Sequence, residues 1–255
     1  MDPAAVATSL QSLATDEVAR KRRDHIRPLR GIRGVPEGEL GRFLHHTWEE
    51  TPPKLPRDGA ALRAMFGSAW EDGIVAIGLA ASCLGKDPAS VLALGLDWLE
   101  QVDDVATADA LGWLVLGPAS LATDRFDEVL DDTVRARHSA VRRAGVIMGM
   151  ALLPTAIQGP AAAALRAALG TIDGRIVEEP RTSELKALCT AFARDEDPAV
   201  RKGLRRVLGT WTVHDAAAAK RWMDSVPGGV HRMLRDEIES TAARISKRAA
   251  RRGER

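Results

Sequence analysis

The feature that most restricts the fold of this chain is a succession of short segments with helical hydrophobic periodicity, separated by brief breakers. Ala, Leu and Arg, which favour helices, are frequent, whereas Tyr is absent and clear alternation of apolar and polar residues is missing. The sequence therefore predicts an all-α protein. The predicted helices are Asp2–Arg23, Glu37–Glu50, Asp58–Ser68, Ala69–Leu84, Ala89–Gln101, Asp104–Leu116, Arg125–Arg135, Ser139–Leu152, Ala161–Leu169, Ser183–Arg194, Pro198–Thr210, Ala216–Ser225 and Gly229–Ala249.

The ends of these helices carry their own signals. Asp87 and Asp197 each precede a proline, and an aspartate cap followed by proline is typical of a helix start. Three dipeptides predict breaks between helices, and these are Gly117-Pro118, Gly159-Pro160 and Pro227-Gly228.

So many helices joined by short turns favour an α-solenoid of stacked antiparallel helix pairs, with HEAT-like repeats of roughly 40 residues. Many of the helices are apolar on two sides, as stacking between two neighbours requires, although a globular helical bundle is the alternative. We expect one domain over residues 1–255, with the Pro-rich segment Glu49–Gly59 as a loop and residues 245–255 as a frayed basic tail.

The formal net charge of +1 hides an uneven distribution. Basic residues crowd Ala19–Arg33, Arg135–Gly145, Val200–Arg206 and the C-terminal tail, whereas acidic residues gather in Asp124–Asp132. One such run alone is typical of a solvated helix face. Because patches of opposite sign are separate, the near-neutral net charge does not exclude a polyanionic partner.

Several classes of function are disfavoured. The N-terminus lacks a secretory pattern, and no apolar run approaches the roughly 20 residues that span a bilayer. Cys83 and Cys189 have no metal-ligand spacing and are expected to be buried free thiols, so we predict a cytoplasmic monomer without metal, cofactor or membrane contact. No phosphate-binding Gly-rich loop, nucleophile elbow or metal-binding His pair is present.

One carboxylate stands out in the apolar helix Asp104–Leu116. Asp103 and Asp104 suit the cap and first turn, but Asp109 lies too far along the helix for that role. In a solenoid, equivalent helices would bring basic side chains from two later helices into one groove near Asp109. These side chains are Arg142, Arg143, Arg201, Lys202, Arg205 and Arg206.

Five segments in order along the chain are similar to those of the AlkD-type DNA alkylation repair glycosylases, which are built from HEAT-like repeats. They are "LRGIRGVPEGELGRFL" (29–44), "WEDGIVAIGLAA" (70–81), "DDVATADALGWLVLG" (103–117), "ARHSAVRRAGVI" (136–147) and "DPAVRKGLRRVLGTW" (197–211). The resemblance implies a glycosylase that releases N3- or N7-alkylated purines, including bulky ones, from duplex DNA.

The resemblance assigns roles to individual residues. Asp109 takes the position of the catalytic carboxylate, and Val105, Trp113 and Arg206 would contact the substrate. Val105 and Arg206 stand where the family has tryptophan, so stacking on a cationic base would be reduced. Trp113 could partly replace it, although a buried core tryptophan is also typical there. The predicted DNA-binding residues are Arg33, Arg142, Arg143, Arg201, Lys202 and Arg205.

Two further hypotheses remain open. The chain could be a non-catalytic HEAT-repeat protein that binds damaged or branched DNA. It could instead be a protein-binding scaffold, in which Asp109 is a buried polar residue paired with a neighbouring arginine.

Overall fold

The computed structural model describes residues 1–26, 28–155 and 176–253. No strand occurs in these ranges, so the all-α prediction is confirmed for them. The first helices are α1 (Pro3–Ser12), α2 (Asp16–Ile26), α3 (Glu37–Glu50), α4 (Gly59–Phe66), α5 (Trp70–Ala81), α6 (Pro88–Leu99) and α7 (Val105–Leu111). A π-helical turn (Gly112–Leu116) leads from α7 into α8 (Gly117–Ala122).

The second half continues in the same manner. Its helices are α9 (Phe126–Arg135), α10 (Ser139–Ile147), α11 (Thr182–Phe192), α12 (Pro198–His214), α13 (Ala216–Ser225) and α14 (Arg232–Gly253), with a 3₁₀ turn (Met148–Leu152) after α10. The predicted helix Ala161–Leu169 and the predicted break at Gly159-Pro160 lie outside the described residues.

Several helices start at aspartate caps. The side chains of Asp87, Asp104 and Asp197 each accept hydrogen bonds from backbone N–H groups in the first turns of α6, α7 and α12. Each carboxylate thereby satisfies amide groups that have no partner within the helix. Asp103 has a different role from the predicted one, because it accepts a hydrogen bond from the Leu29 N–H at 2.5 Å.

The predicted helix Asp2–Arg23 is wrong in one respect, since it is two helices. The chain breaks between Ser12 and Asp16, where the Thr15 N–H donates to the Gly34 carbonyl at 3.0 Å. The backbone at Thr15 is therefore paired with the loop that follows α2.

The break predicted at Gly117-Pro118 is also wrong. Helical structure runs without interruption from Val105 to Ala122, because the intervening turn is a π-helix in which Gly117 N–H donates to the Gly112 carbonyl. Such a wider turn makes room for Pro118, which has no N–H to donate to the helix.

This stretch is also the most apolar helix of the described chain. By length and composition its 18 residues could cross a membrane, with a mean hydropathy of 1.4, which comes closer to a spanning segment than the sequence led us to expect. In the fold 67% of it is buried, and α7 packs on α5 and α10. It therefore serves here as a core helix.

Two rows of helices follow from the packing. Row 1 contains α5, α7, α10, α12 and α14, and each of these helices packs on the next. Row 2 contains α4, α6, α8, α9 and α11, which contact one another in the same order. The pairs α4–α5, α9–α10 and α11–α12 connect the rows. This arrangement of the described helices is consistent with an α-solenoid.

At the start of row 1, two buried acidic residues hold the loop after α2 against α5. Glu71 accepts hydrogen bonds from the backbone N–H groups of Arg33 and Gly34, each at 2.9 Å, and pairs with Arg22. Asp72 accepts two hydrogen bonds of 2.8 Å from the Arg33 guanidinium. These contacts satisfy carboxylates that would be costly to bury alone.

Cys83 and Cys189 are buried free thiols, as predicted, and burial raises the pKa of both. α14 starts at Arg232 rather than Gly229, because Gly228 and Gly229 have positive φ angles of 75° and 79° and form the preceding turn. The same helix continues to Gly253, past the point where we expected fraying.

Candidate functional site

The candidate site is centred on Asp109, one turn into α7. Its side chain is 21% exposed. The Arg143 guanidinium donates to both carboxylate oxygens, from Nε to Oδ1 at 2.7 Å and from Nη2 to Oδ2 at 2.9 Å. A bidentate pair of this kind fixes the direction of the carboxylate as well as its charge.

Arg143 is itself held from a third helix. Its Nη1 donates to the Ala199 carbonyl at 2.5 Å, in the first turn of α12. The same side chain is only 11% exposed. Arg143 therefore connects α7, α10 and α12, the three consecutive helices of row 1.

The close approach of α7 and α10 depends on a glycine. A Cβ atom at Gly112 would lie 2.3 Å from the Ala144 carbonyl oxygen, far inside any normal contact. Ala144 is the neighbour of Arg143. The absence of a side chain at Gly112 thus lets α10 come near enough for Arg143 to reach Asp109.

A second guanidinium reaches Asp109 from the exposed side. Arg206, on α12, donates from Nη1 to Asp109 Oδ2 at 3.3 Å, and its Cζ lies 5.1 Å from the centre of the Trp113 ring. Its side chain is 40% exposed. One formal negative charge is therefore shared between two formal positive charges, and the outer one also rests on an aromatic face.

Val105 and Trp113 are the apolar neighbours of Asp109 along the same helical stretch. Val105 lies one turn before Asp109 on α7 and is 37% exposed, and only two other large apolar side chains in the described ranges, Leu29 and Val213, are exposed. Trp113, one turn after Asp109, is buried and presents its ring face to Arg206. The site can therefore hold a positive group between a carboxylate and an aromatic face.

A basic groove adjoins the site. It lies between α12 and α14, has a volume of about 660 Å³ and includes Arg206 in its wall. Its other basic side chains are Lys202, Arg205, Arg244 and His214, with Glu237 as the acidic member. Arg205 donates to Glu237 Oε2 at 2.6 Å. The surplus of positive charge suits phosphate groups.

A comparison with protein families finds a match to the family described as DNA alkylation repair enzyme, over residues 6–252. The chain belongs to the DNA alkylation repair enzyme family. The membership confirms the resemblance noted from the sequence and supports a role in DNA repair, with DNA as the substrate. A comparison with curated proteins finds no match.

Within this DNA alkylation repair protein, the basic residues predicted for one groove are only partly brought together. Arg143 and Arg206 meet at Asp109, and Lys202, Arg205 and Arg206 line the groove. Arg142 pairs instead with Asp195, from Nε to Oδ2 at 2.7 Å.

Arg201 and Arg33 lie in other surroundings. Arg201 donates to the Glu196 carbonyl at 2.7 Å, and it lines a different cavity with Asp195 and Glu196. Arg33 belongs to the acidic contacts of α5, where hydrogen bonding to Asp72 raises the pKa of its guanidinium. Neither residue pairs with Asp109 or lines the basic groove.

Sequence reasoning missed three parts of the site. The Ala199 carbonyl, the spacing role of Gly112 and the position of Arg244 in the groove were not identified. A glycine inside an apolar helix was the available signal for Gly112, since it often marks a close backbone approach.

No group of three or more His, Cys, Asp or Glu side chains in the described ranges could hold a metal ion.

Proposed function

We propose that this protein is a DNA glycosylase that hydrolyses the N-glycosidic bond of N3- or N7-alkylated purines in duplex DNA. The observation that carries the proposal is the partly exposed Asp109, fixed by Arg143 and placed beside a basic groove. Membership of the DNA alkylation repair enzyme family supports the repair role.

The chemistry needs one well-placed carboxylate. Alkylation at N3 or N7 gives the base a positive charge, so the C1′–N bond breaks with both electrons going to the departing, now neutral base. The sugar then carries the charge as an oxocarbenium ion, which the Asp109 carboxylate stabilises by electrostatic attraction. A water oxygen attacks C1′, and its proton passes to Asp109 and then to solvent.

The placement of Arg143 is suited to this role. Its two hydrogen bonds hold the Asp109 carboxylate in one orientation, so little reorganisation is needed when charge develops on the sugar. Its third contact, with the Ala199 carbonyl, keeps the guanidinium itself in place. We assign Asp109 as the catalytic residue and Arg143 as the residue that positions it.

The duplex would lie along the exposed side of row 1, which we propose to be the concave face of a HEAT-like solenoid. Lys202, Arg205 and Arg244 in the groove would bind phosphates on one side of the lesion. We propose that the protein works as a cytoplasmic monomer. Val105 is smaller than the tryptophan that the family resemblance implies at this position, so it leaves space beside Asp109, which favours bulky adducts over stacked methylpurines.

The second candidate is a non-catalytic module that binds damaged DNA. The pairing of Asp109 with two guanidiniums favours it, since that pairing explains the carboxylate as a structural ion pair. This module would bind duplex DNA without releasing a base.

The test is base release by the purified protein from duplexes that carry 7-methylguanine or a bulky N3-adenine adduct. We expect release of free base and formation of an abasic site. The acceleration over spontaneous loss should be greater for the bulky adduct than for 7-methylguanine. Salt-dependent binding of both duplexes without release above the spontaneous rate would contradict the glycosylase proposal and favour the binding module.

A further inference from the structure

The position of Arg206 has a consequence for the substrate. Its guanidinium lies between the Asp109 carboxylate, at 3.3 Å from Nη1, and the Trp113 ring, at 5.1 Å from Cζ. A carboxylate on one side and an aromatic face on the other form a binding site for a cation. In this structure the protein's own side chain fills that site.

We propose that Arg206 is the specificity-determining residue of the Asp109 site, because a substrate cation must displace its guanidinium to reach the carboxylate. The proposal rests on the function proposed above and concerns the same site. It predicts that Arg206 weakens the preference of the protein for a positively charged sugar or base.

The two arginines on Asp109 differ in how firmly they are held. Arg143 makes two short hydrogen bonds to the carboxylate and a third to the Ala199 carbonyl, and it is 11% exposed. Arg206 makes a single hydrogen bond to Asp109, at 3.3 Å, and its side chain is 40% exposed. Arg206 is therefore the partner that can leave while Arg143 continues to orient Asp109.

Charge gives a reason for it to leave. With both arginines in place, the formal charge of the three side chains is positive, which opposes the approach of a cation. Arg206 also lines the groove that holds Lys202 and Arg205. When a cationic sugar approaches, the displaced Arg206 guanidinium can pair with a DNA phosphate in that groove, which leaves the carboxylate to the sugar.

The experiment measures binding, so it does not depend on turnover. Two duplexes are compared, one with a pyrrolidine analogue of the abasic sugar, which is a cation, and one with the neutral tetrahydrofuran analogue. The quantity is the ratio of Kd for tetrahydrofuran to Kd for pyrrolidine, by fluorescence anisotropy. We expect Arg206→Ala to raise this ratio about tenfold over wild type, because the Arg206 guanidinium no longer competes with the pyrrolidine cation for Asp109.

Two further variants make the result specific. Arg206→Gln keeps a long polar side chain without the charge and should raise the ratio as Arg206→Ala does. Arg205→Ala removes a neighbouring groove charge and should weaken binding of both duplexes while leaving the ratio at the wild-type value.

The proposal would be overturned if the ratio in Arg206→Ala and Arg206→Gln equals or falls below the wild-type ratio. It would also be overturned if the wild-type protein binds neither duplex. Base release by the wild type together with an unchanged ratio would overturn only this inference and leave the proposed glycosylase function in place. A raised ratio without base release by the wild type would support this role of Arg206 and overturn the proposed glycosylase function.

Discussion

At the scale of single residues, Asp109 and Arg143 explain how a carboxylate can persist in an apolar helix. An unpaired buried charge would cost several kcal/mol, and two hydrogen bonds from Arg143 offset that cost. The other side of the carboxylate contacts Arg206, which is more exposed and more loosely held. The same pairing thus serves stability and leaves one side open for chemistry.

The sequence was sufficient to single out Asp109 but not to choose its partner. Arg142 and Arg143 are adjacent, so they point about 100° apart on α10 and cannot share a role. Only the packing of α10 shows that Arg143 faces Asp109 whereas Arg142 faces Asp195. That choice depends on contacts between residues far apart in the chain, which local patterns do not encode.

The Arg143→Lys variant tests the positioning role. Lysine keeps the charge but loses the planar fork, so one of the two hydrogen bonds to Asp109 is lost. We expect base release under single-turnover conditions to slow by about tenfold or more, the equivalent of at least about 1.4 kcal/mol. Arg142→Lys, the adjacent control, should lower the melting temperature with little change in the rate. Equal rates for both variants would contradict the assignment.

At the scale of the helices, the approach of α7 to α10 determines whether the site forms. Gly112 lies in the π-helical turn that follows α7, and its Cα faces the Ala144 carbonyl. The π-turn also lets the helix pass Pro118 without stopping. The aspartate caps were predictable from the sequence, whereas the π-turn was not, because it depends on how this stretch packs against α5, α6 and α10.

The Gly112→Ala variant tests this close approach. Its new methyl group would lie 2.3 Å from the Ala144 oxygen, so α7 and α10 must separate. We expect a loss of about 1–3 kcal/mol in the free energy of unfolding, measured with urea. Gly38→Ala on α3, where nothing lies within 4 Å of the added Cβ, is the control. A loss at Gly112 no larger than at Gly38 would contradict the role of the glycine.

At the scale of the whole molecule, row 1 places the site and the basic groove on neighbouring helices. α7 and α10 carry Asp109 and Arg143, and α12 carries both Arg206 and much of the groove wall. The all-α class and many helix bounds were predictable from periodicity. The two-row arrangement was predicted only as a type of fold, since the order of contacts between helices depends on side-chain packing.

The salt dependence of DNA binding tests the groove. Each lysine or arginine that neutralises a phosphate contributes about one unit to the slope of log Kd against log salt. We expect Lys202→Ala and Arg205→Ala each to reduce that slope by about one unit. Arg125→Ala on the other row, where Arg125 pairs with Glu128, should leave the slope unchanged. Equal slopes in all four proteins would place the duplex elsewhere.

The catalytic role of Asp109 is tested by the single-turnover rate of base release by Asp109→Asn. The amide keeps the size of the side chain but removes the charge that stabilises the sugar cation, so we expect release to slow by about 10²–10³-fold. Asp97→Asn is the matched control, because Asp97 also pairs with an arginine, Arg63, but lies on α6. We predict wild-type release for Asp97→Asn. Equal rates for wild type and Asp109→Asn would contradict a catalytic role for Asp109.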